Sequence, residues 1–528
     1  MRRTLIQAFP VLILCALMAR SDVARAQDSD APQTVFIRGA TIWTGSDRGT
    51  IESGALMLRK GKISRVDADV RSRPPRAGTN SIDATGKYVT PGLIDSWTML
   101  GLNPGGSVGA EAGLNAADAI DGYATHIFDD ARRSGVTGVC IEPPAGGGVA
   151  GSAAFVRIAD LNDLRSTTTE SMALVARLGL GARGPISRFG EIKAMRDLFE
   201  QAAAYREQWD EYHEKLEEYQ KKLKDGETVK LKKDDEKKEV KSEEKKPEAP
   251  QRRPRRGRRP RPRPSNFATM TDEEVLAWLQ DAHVPGEDDV LEEEAHSHDT
   301  APTPPSEDKA KKADAKKGDG KDGDKKDDAL SKPERPAYDA NHEVIVKALK
   351  RELPVRFEAH RPNDILQALK IIKEYHLDAS ISGATGAYLA DELIADADIP
   401  VVFGQLTGAG GFDRTHAADF DAAAPASLAA CGVRDLVIAS GRMGRDNGTR
   451  FLTQNAAIAV GHGLNEDAAL RAITIEAAKL CGVSETLGSI EKGKVADVVI
   501  WSGHPLAPDS VVEYVFVGGV EVYRRAGN

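Results

Sequence analysis

The chain has 528 residues, of which 40% are hydrophobic and 5% aromatic, and its formal net charge is −9. This length suffices for two or more domains, and the apolar content is typical of a soluble globular protein that carries some polar insertion. The negative charge argues against a general nucleic-acid-binding protein.

The first 26 residues have the features of a secretory signal peptide. Arg2 and Arg3 give a basic start, residues 11–18 an apolar centre, and Ala24-Arg25-Ala26 a cleavage site. The apolar run is too short to anchor the chain in a bilayer. We therefore expect export to the periplasm or the extracellular space, without membrane attachment after cleavage. Removal of four Arg and one Asp, a net +3, would change the charge from −9 to −12.

Three cysteines remain after the cleavage site: Cys140, Cys431 and Cys481. So small and odd a number is not a disulfide framework. The three cysteines could include one disulfide bridge, or they could all be free thiols, most of them buried.

Short apolar runs separated by glycines occupy both ends of the mature chain. In the N-terminal part they are residues 34–37, 55–58 and 62–66, and in the C-terminal part residues 495–501 and 511–523. Such runs are typical of strands separated by turns. They predict β-structure at each end.

Between these ends, apolar runs alternate with helical patterns, which indicates a βα barrel. The predicted strands are residues 93–95, 136–141, 173–175, 354–357, 378–381, 400–403 and 435–438. Helices are predicted over residues 363–375, with Ile365, Leu369 and Ile372 on one face, and over residues 466–480. The glycine-rich residues 143–151 are open to two interpretations, a tight barrel loop and an anion cradle.

One charged segment does not fit a compact barrel. Residues 191–246 form a charged helical pattern, and residues 252–260 are rich in Arg and Pro. A short helix is predicted over residues 270–282. We expect residues 225–335 to be largely disordered. The Arg/Pro run is either a solvated linker or a binding arm for an anionic polymer, a lipid surface or an acidic partner.

Two stretches resemble the amidohydrolase superfamily, in particular its imidazolonepropionase-like branch. Pro91-Gly92-Leu93-Ile94-Asp95 is similar to the opening barrel strand of that branch, and residues 488–499 resemble its Gly-Ser-Ile-Glu-x-Gly-Lys-x-Ala-Asp-x-Val signature. The resemblance covers about residues 33–190 and 336–525. It implies a (β/α)8 TIM-like barrel, here residues 91–224 and 336–485. It also implies a small β-sandwich made by both chain ends, here residues 33–90 and 486–525.

The resemblance also implies one or two divalent metals, zinc or another, that activate water to hydrolyse C–N bonds other than peptide bonds. The family's first strand ends in His-x-His, where this chain has Trp97 and Met99. Gly383 stands at the metal-binding His after strand six, and Gly441 at the catalytic Asp after strand eight. A catalytic zinc needs about three protein ligands. We therefore expect no metal cofactor, with Trp97 and Met99 filling the volume that the metal would occupy.

The fifth strand retains part of its motif. Glu358-Ala359-His360-Arg361 resembles His-Ala-His-Arg, followed by the matching Asp364. Glu358 and His360 are the candidate catalytic residues, and Arg361, Arg442 and the four substituted positions are candidate pocket residues. We expect Arg442 to offset the charge of Glu358, because a buried carboxylate without a metal needs a cationic partner. An equally open alternative is that His360 has a purely structural role and that Arg361 and Asp364 form a local ion pair.

Three hypotheses follow for function. The first is an inactive, metal-free relative that binds a small-molecule ligand or pairs with an intact amidohydrolase subunit. The second is a hydrolase with weak or altered activity that uses Glu358 and His360. The third assigns the work to the Arg/Pro-rich insertion as an interaction arm.

Overall fold

A computed structural model describes residues 34–68, 79–102, 111–143, 148–179, 185–224, 332–404, 406, 420–441 and 448–526. The signal peptide, nearly all of the charged insertion and Arg442 lie outside these residues. The chain divides into two units, one of Met1–Leu216 with Glu334–Asn528 and one of Glu217–Pro333. The described part of the second unit is the end of a long helix, to Lys224, with residues 332–333. Both sheets described below belong to the first unit.

Two sheets account for all the strands of the described residues. The strands are β1 (Val35–Trp43), β2 (Thr50–Arg59), β3 (Lys62–Asp67), β4 (Asn80–Asp83), β5 (Tyr88–Pro91), β6 (Leu93–Thr98), β7 (Val136–Ile141), β8 (Gly148–Arg157), β9 (Thr168–Arg177), β10 (Val355–Ala359), β11 (Ala379–Gly383), β12 (Val401–Phe403), β13 (Leu436–Ile438), β14 (Val498–Trp501), β15 (Val512–Val517) and β16 (Val520–Arg524).

The helices lie mostly between the strands of the second sheet. They are α1 (Thr125–Arg133), α2 (Pro185–Lys224), α3 (Ala340–Leu349), α4 (Pro362–Tyr375), α5 (Asp391–Ala397), α6 (Ala424–Ala430), α7 (Leu452–Gly461), α8 (Glu466–Ala472) and α9 (Ile475–Leu480). Within the described residues, no helix is both long and apolar enough to span a bilayer.

The first sheet joins the two ends of the chain. Its strand order is β16-β15-β14-β5-β1-β2-β3, and β4 also pairs with β1. The junction is the antiparallel pair of β5 and β14, with Val89 opposite Ile500. Both side chains are buried in one apolar cluster, which links strands more than 400 positions apart in the sequence. The two chain ends thus share one sheet, and a two-layer sandwich stays a prediction.

The second sheet is a nearly closed barrel of order β13-β12-β11-β10-β9-β8-β7-β6. Its outermost strands meet where the N–H of Gly441, just past β13, donates to the carbonyl oxygen of Trp97 on β6 at 3.0 Å. Strands β9 to β13 are parallel to one another, as are β6 and β7. Strand β8 runs antiparallel to both neighbours. The predicted barrel is confirmed in outline, with mixed rather than all-parallel strands.

The reversal at β8 corrects the interpretation of residues 143–151 as a turn, because β8 begins at Gly148. Only residues 142–147 connect β7 to β8, and a parallel connection needs a crossover of a dozen or more residues. The predicted helix over residues 466–480 is in fact two helices, α8 and α9, separated by Ile473 and Thr474. The predicted amphipathic helix of residues 363–375 is confirmed as α4, which begins at Pro362.

Successive side chains of the barrel strands alternate between two apolar clusters, one outside and one inside the barrel. On β13, Leu436 and Ile438 pack with the helices in an outer cluster, whereas Val437 belongs to an interior cluster. Successive side chains of a strand point to opposite faces, so the interior cluster fills the barrel. Its fully buried members include Ile94, Trp97, Cys140, Val175, Val402 and Cys481.

Candidate functional site

Asp95 on β6, the last residue of the Pro91–Asp95 stretch, is a buried carboxylate that ties β6 to the residues just past β13 and to Thr449. Its Oδ1 accepts from the N–H of Ser440 at 2.9 Å, and its Oδ2 accepts from the hydroxyl groups of Ser440 at 2.5 Å and Thr449 at 2.8 Å. Burial raises the pKa of Asp95, and these hydrogen bonds oppose the rise. With both oxygens engaged, Asp95 closes the barrel seam between β6 and β13.

The two residues at the His-x-His positions pack in different places. Trp97 is 1% exposed and belongs to the interior cluster. A Cβ on Gly404 would lie 2.7 Å from Cζ3 of Trp97, so the indole occupies the space beside that glycine. Met99 lies one residue beyond the end of β6 and packs against the outer cluster. Residues i and i+2 point to the same side only while both belong to a strand, and Met99 lies past the end of β6. The side chains of Trp97 and Met99 therefore do not share one volume.

The centre of the barrel contains an ion pair that the sequence did not reveal. Arg177 ends β9 and Glu358 lies opposite it on β10. The Nε of Arg177 donates to Oε2 of Glu358 at 2.5 Å, and its Nη2 donates to the carbonyl oxygen of Pro143 at 2.9 Å. The two side chains are 0% and 3% exposed. Arg177 therefore supplies the cation beside Glu358 that was expected from Arg442.

His360 follows Glu358 two positions along the chain and is also buried. Its Nδ1 is 2.6 Å from the hydroxyl oxygen of Thr385, and its Nε2 is 3.6 Å from Oε1 of Glu358. The second distance is beyond a hydrogen bond but allows electrostatic attraction when the imidazole is protonated. Thr385 and Glu358 therefore fix the orientation of the imidazole ring.

The ring of His360 also explains the glycine at position 383. A Cβ at Gly383 would lie 2.6 Å from Cε1 and 2.8 Å from Nε2 of His360. The φ angle of Gly383 is +89°, which L side chains rarely adopt. A histidine cannot be placed here without displacing His360. The absence of a side chain at position 383 and the position of the His360 ring are thus sterically linked.

A second buried charge pair, Arg356 with Glu142, lies deeper in the barrel. The sequence analysis did not predict this pair either. Arg356 is on the interior face of β10, and its Nη1 lies 2.5 Å from the carbonyl oxygen of Ser96 and 3.3 Å from Oε1 of Glu142. Burial raises the pKa of Glu142, against the attraction of Arg356 and Arg177. A strand-internal Arg with period-2 spacing to Glu358 was the available sequence signal.

Arg361 and Asp364 lie at the start of α4. Asp364 is buried, and its Oδ1 is 3.5 Å from Nε of Arg188. Burial raises the pKa of Asp364, while Arg188, Arg361 and His360 oppose the rise. The carboxylate also packs on Gly179, where a Cβ would come within 2.2 Å of Oδ2. Asp364 thus joins the start of α4 to the loop after β9.

These residues do not fit the divalent metal that the resemblance implies. Trp97, Met99, Gly383 and Gly441 offer no suitable donor. Throughout the described ranges, no group of three or more His, Cys, Asp and Glu side chains could hold a metal ion. Of the two side chains left, Glu358 already neutralises a guanidinium. A metal would have to compete with that buried cation.

Comparison with known proteins finds similarity to amidohydrolases in part of the sequence and in the fold. Residues 312–522, fewer than half of the chain, match the model of the amidohydrolase family. No curated protein matches the sequence. The crystal structure of an amidohydrolase from Thermotoga maritima MSB8 is similar, with 21% identity, a TM-score of 0.63, and coverage of 93% of this chain and 100% of that one.

Other solved structures are more distant. A prolidase complexed with N-methylphosphonate-L-proline has 16% identity and a TM-score of 0.45, covering 93% of this chain and 100% of its own. A putative prolidase from Bifidobacterium longum has 14% identity and a TM-score of 0.40, covering 94% and 95%. Of these three structures, the Thermotoga amidohydrolase has a TM-score above 0.5 and bears on the fold. The chain has a TIM-like barrel fold similar to that of the Thermotoga amidohydrolase.

Proposed function

We propose that this chain is an exported, metal-free amidohydrolase relative that acts as a binding or partner subunit and does not hydrolyse C–N bonds. The observation that carries the proposal is the buried pair of Arg177 and Glu358. In the family, metal ions supply positive charge at the barrel centre. Here a guanidinium provides that charge, and it neither activates a water molecule nor leaves an open coordination position.

The surrounding substitutions are consistent with this replacement. Trp97 contributes apolar volume to the interior, and the ring of His360 occupies the space above Gly383. At positions 97 and 383 there is thus no metal-binding side chain, and an aromatic ring occupies the adjacent space. Restoring hydrolysis would therefore require several simultaneous substitutions, including removal of Arg177.

Metal analysis of the purified full-length protein tests the proposal. After incubation with zinc and extensive dialysis, we expect less than one tenth of an equivalent of metal per chain by mass spectrometry. His360→Ala and the matched control His462→Ala, at an exposed histidine, should give the same low value. Near-stoichiometric zinc that is lost in His360→Ala and kept in His462→Ala would overturn the metal-free assignment.

The partner role has its own test. An intact amidohydrolase subunit is the partner we propose, because a barrel without catalytic groups can still present the family's association surfaces. Purification of the tagged chain from its native source should recover such a subunit in a constant ratio. Recovery of the chain alone, with a monomer mass in light scattering, would leave small-molecule binding as its role. We further propose that residues 1–26 direct export and that no nucleic acid is bound.

A second candidate function is a metal-independent hydrolase that uses Glu358 and His360. The 3.6 Å separation of Nε2 and Oε1 favours it, because the two groups share one buried site. Against it, Oε2 of Glu358 already accepts a hydrogen bond from Nε of Arg177, which competes with a substrate or water for that oxygen. Hydrolysis of a chromogenic anilide that disappears in His360→Ala and persists in His462→Ala would support this candidate over the first.

A further inference from the structure

Two clefts of opposite charge adjoin on the surface around α1. The basic cleft has a volume of about 850 Å³, and its lining includes Arg132, Arg133, Arg524 and Arg525. The acidic cleft has a volume of about 560 Å³, and its lining includes Asp118, Asp121, Asp163 and Glu170. The clefts meet between Leu161 and Asn162, because Leu161 lines the basic cleft and Asn162 the acidic one.

The arginines of the basic cleft are only partly neutralised. One carboxylate, Asp129, serves both arginines of α1 and lies 2.6 Å from a guanidinium nitrogen of each. Glu521 lies 2.7 Å from Nη2 of Arg524. Arg525 forms no ion pair with a described side chain. Four guanidinium groups therefore face two carboxylates, in a chain whose net charge is −9.

The acidic cleft shows the converse imbalance. Its lining contains no Lys or Arg, and none of its four carboxylates forms an ion pair with a described side chain. Two of them are engaged locally, since Asp121 accepts from the N–H of Tyr123 at 2.9 Å and Asp163 from the N–H of Ser166 at 3.2 Å. Exposed charges of one sign repel each other. Each cleft thus presents the charge that would compensate the other.

A fully exposed aromatic side chain lies where the two clefts meet. Tyr123 is 97% exposed and lines the acidic cleft, and Thr125, two positions later, lines the basic one. Tyrosine and arginine are enriched in protein–protein interfaces, where an aromatic ring supplies apolar contact area and a face for a cation. The border between the clefts therefore has the composition of an interface.

We propose that two copies of this chain associate through these clefts, with the basic cleft of each copy against the acidic cleft of the other. A twofold dimer has this reciprocity, because a patch that contacts a second patch on the partner is contacted by it in return. Since the clefts adjoin, one axis close to Tyr123 satisfies both contacts. The association does not involve the barrel centre, so it goes beyond the proposed function and does not depend on it.

The first test needs no substitution. Sedimentation equilibrium of the purified, folded protein at about 20 mM and about 500 mM NaCl should show a dimer that dissociates at least tenfold more readily at the higher salt, because exposed charges are screened. A monomer at the lower salt, at protein concentrations up to about 100 μM, overturns the proposal. A dimer whose affinity does not change with salt overturns it too.

Charge reversal then locates the surface. Arg524→Glu with Arg525→Glu makes the basic cleft acidic, and Asp118→Lys with Glu170→Lys makes the acidic cleft basic. Each double variant should be monomeric at the lower salt, because like charges meet in both contacts. The matched control is Lys221→Glu with Lys222→Glu, at exposed positions of α2 outside both clefts. It makes the same charge change as the first variant and should remain dimeric.

Mixing the two reversed variants tests the reciprocity itself. Each contact is then again between opposite charges, so native mass spectrometry should show a dimer that contains one copy of each variant. Circular dichroism first establishes that both variants are folded. If both variants stay dimeric, if the mixture stays monomeric, or if only the basic-cleft variant loses association, the reciprocal contact is wrong. The salt series on the unmodified protein decides the question even if a variant does not fold.

Discussion

Replacing Glu358 by Gln provides a direct energetic test of the ion pair at the barrel centre. The side chains of Arg177 and Glu358 are 0% and 3% exposed, and the atoms Nε and Oε2 are 2.5 Å apart. At an effective dielectric constant of about 20, unit charges about 4 Å apart attract by about 4 kcal/mol. Glu358→Gln keeps the shape but leaves the guanidinium buried without its counter-charge. We expect it to lower the free energy of unfolding by roughly 3–5 kcal/mol.

Glu211→Gln is the matched control, because it makes the same chemical change in an exposed pair. Lys215 and Glu211 lie four residues apart on α2, with side chains 63% and 67% exposed. Solvent screening makes such a pair worth about 0.5 kcal/mol or less. The assay is urea unfolding followed by tryptophan fluorescence, with both variants compared with the unmodified protein.

A double-mutant cycle then separates pairing from other effects of the substitution. The cycle compares the single variants Arg177→Met and Glu358→Leu with the double variant that carries both. The double variant removes both charges and leaves apolar side chains of similar size. We expect the double variant to be at least about 2 kcal/mol more stable than the sum of the single effects predicts. If Glu358→Gln costs no more than Glu211→Gln, or if the two single effects simply add, the pair does not stabilise the barrel centre.

Two further perturbations follow from the same site. Gly383→Ala should destabilise the protein by about 2 kcal/mol more than Gly86→Ala, because both glycines have positive φ but only Gly383 has His360 within 3 Å of an added Cβ; equal thermal shifts would refute the contact. Glu142→Gln should gain stability relative to the unmodified protein as the pH rises above about 4.3. Burial raises the pKa of Glu142, so its contribution is full below the pKa of the unfolded chain and is lost as the pH passes the raised value. Urea midpoints across pH 4 to 8 measure the difference, and a constant gap would contradict the raised pKa.

The sequence was sufficient to indicate a barrel because its signals are local. The Pro91-Gly92 pair before Leu93 and Ile94 marks the first barrel strand, and the periodicity of residues 363–375 marks α4. The reversal at β8 was not evident, because its apolar and small residues are compatible with a strand or a glycine-rich loop. Its direction depends on the length of a connection, which only the pairing partners reveal.

From the sequence alone we also predicted that four positions aligned with the family's metal ligands lack suitable donors, since that follows from the identity of Trp97, Met99, Gly383 and Gly441. Only the tertiary structure decided which group neutralises Glu358. Arg177 is 181 positions away in the sequence and becomes its neighbour because β9 and β10 pair in register. The energy of a buried charge depends on distance and burial, and neither quantity exists until the strands have assembled.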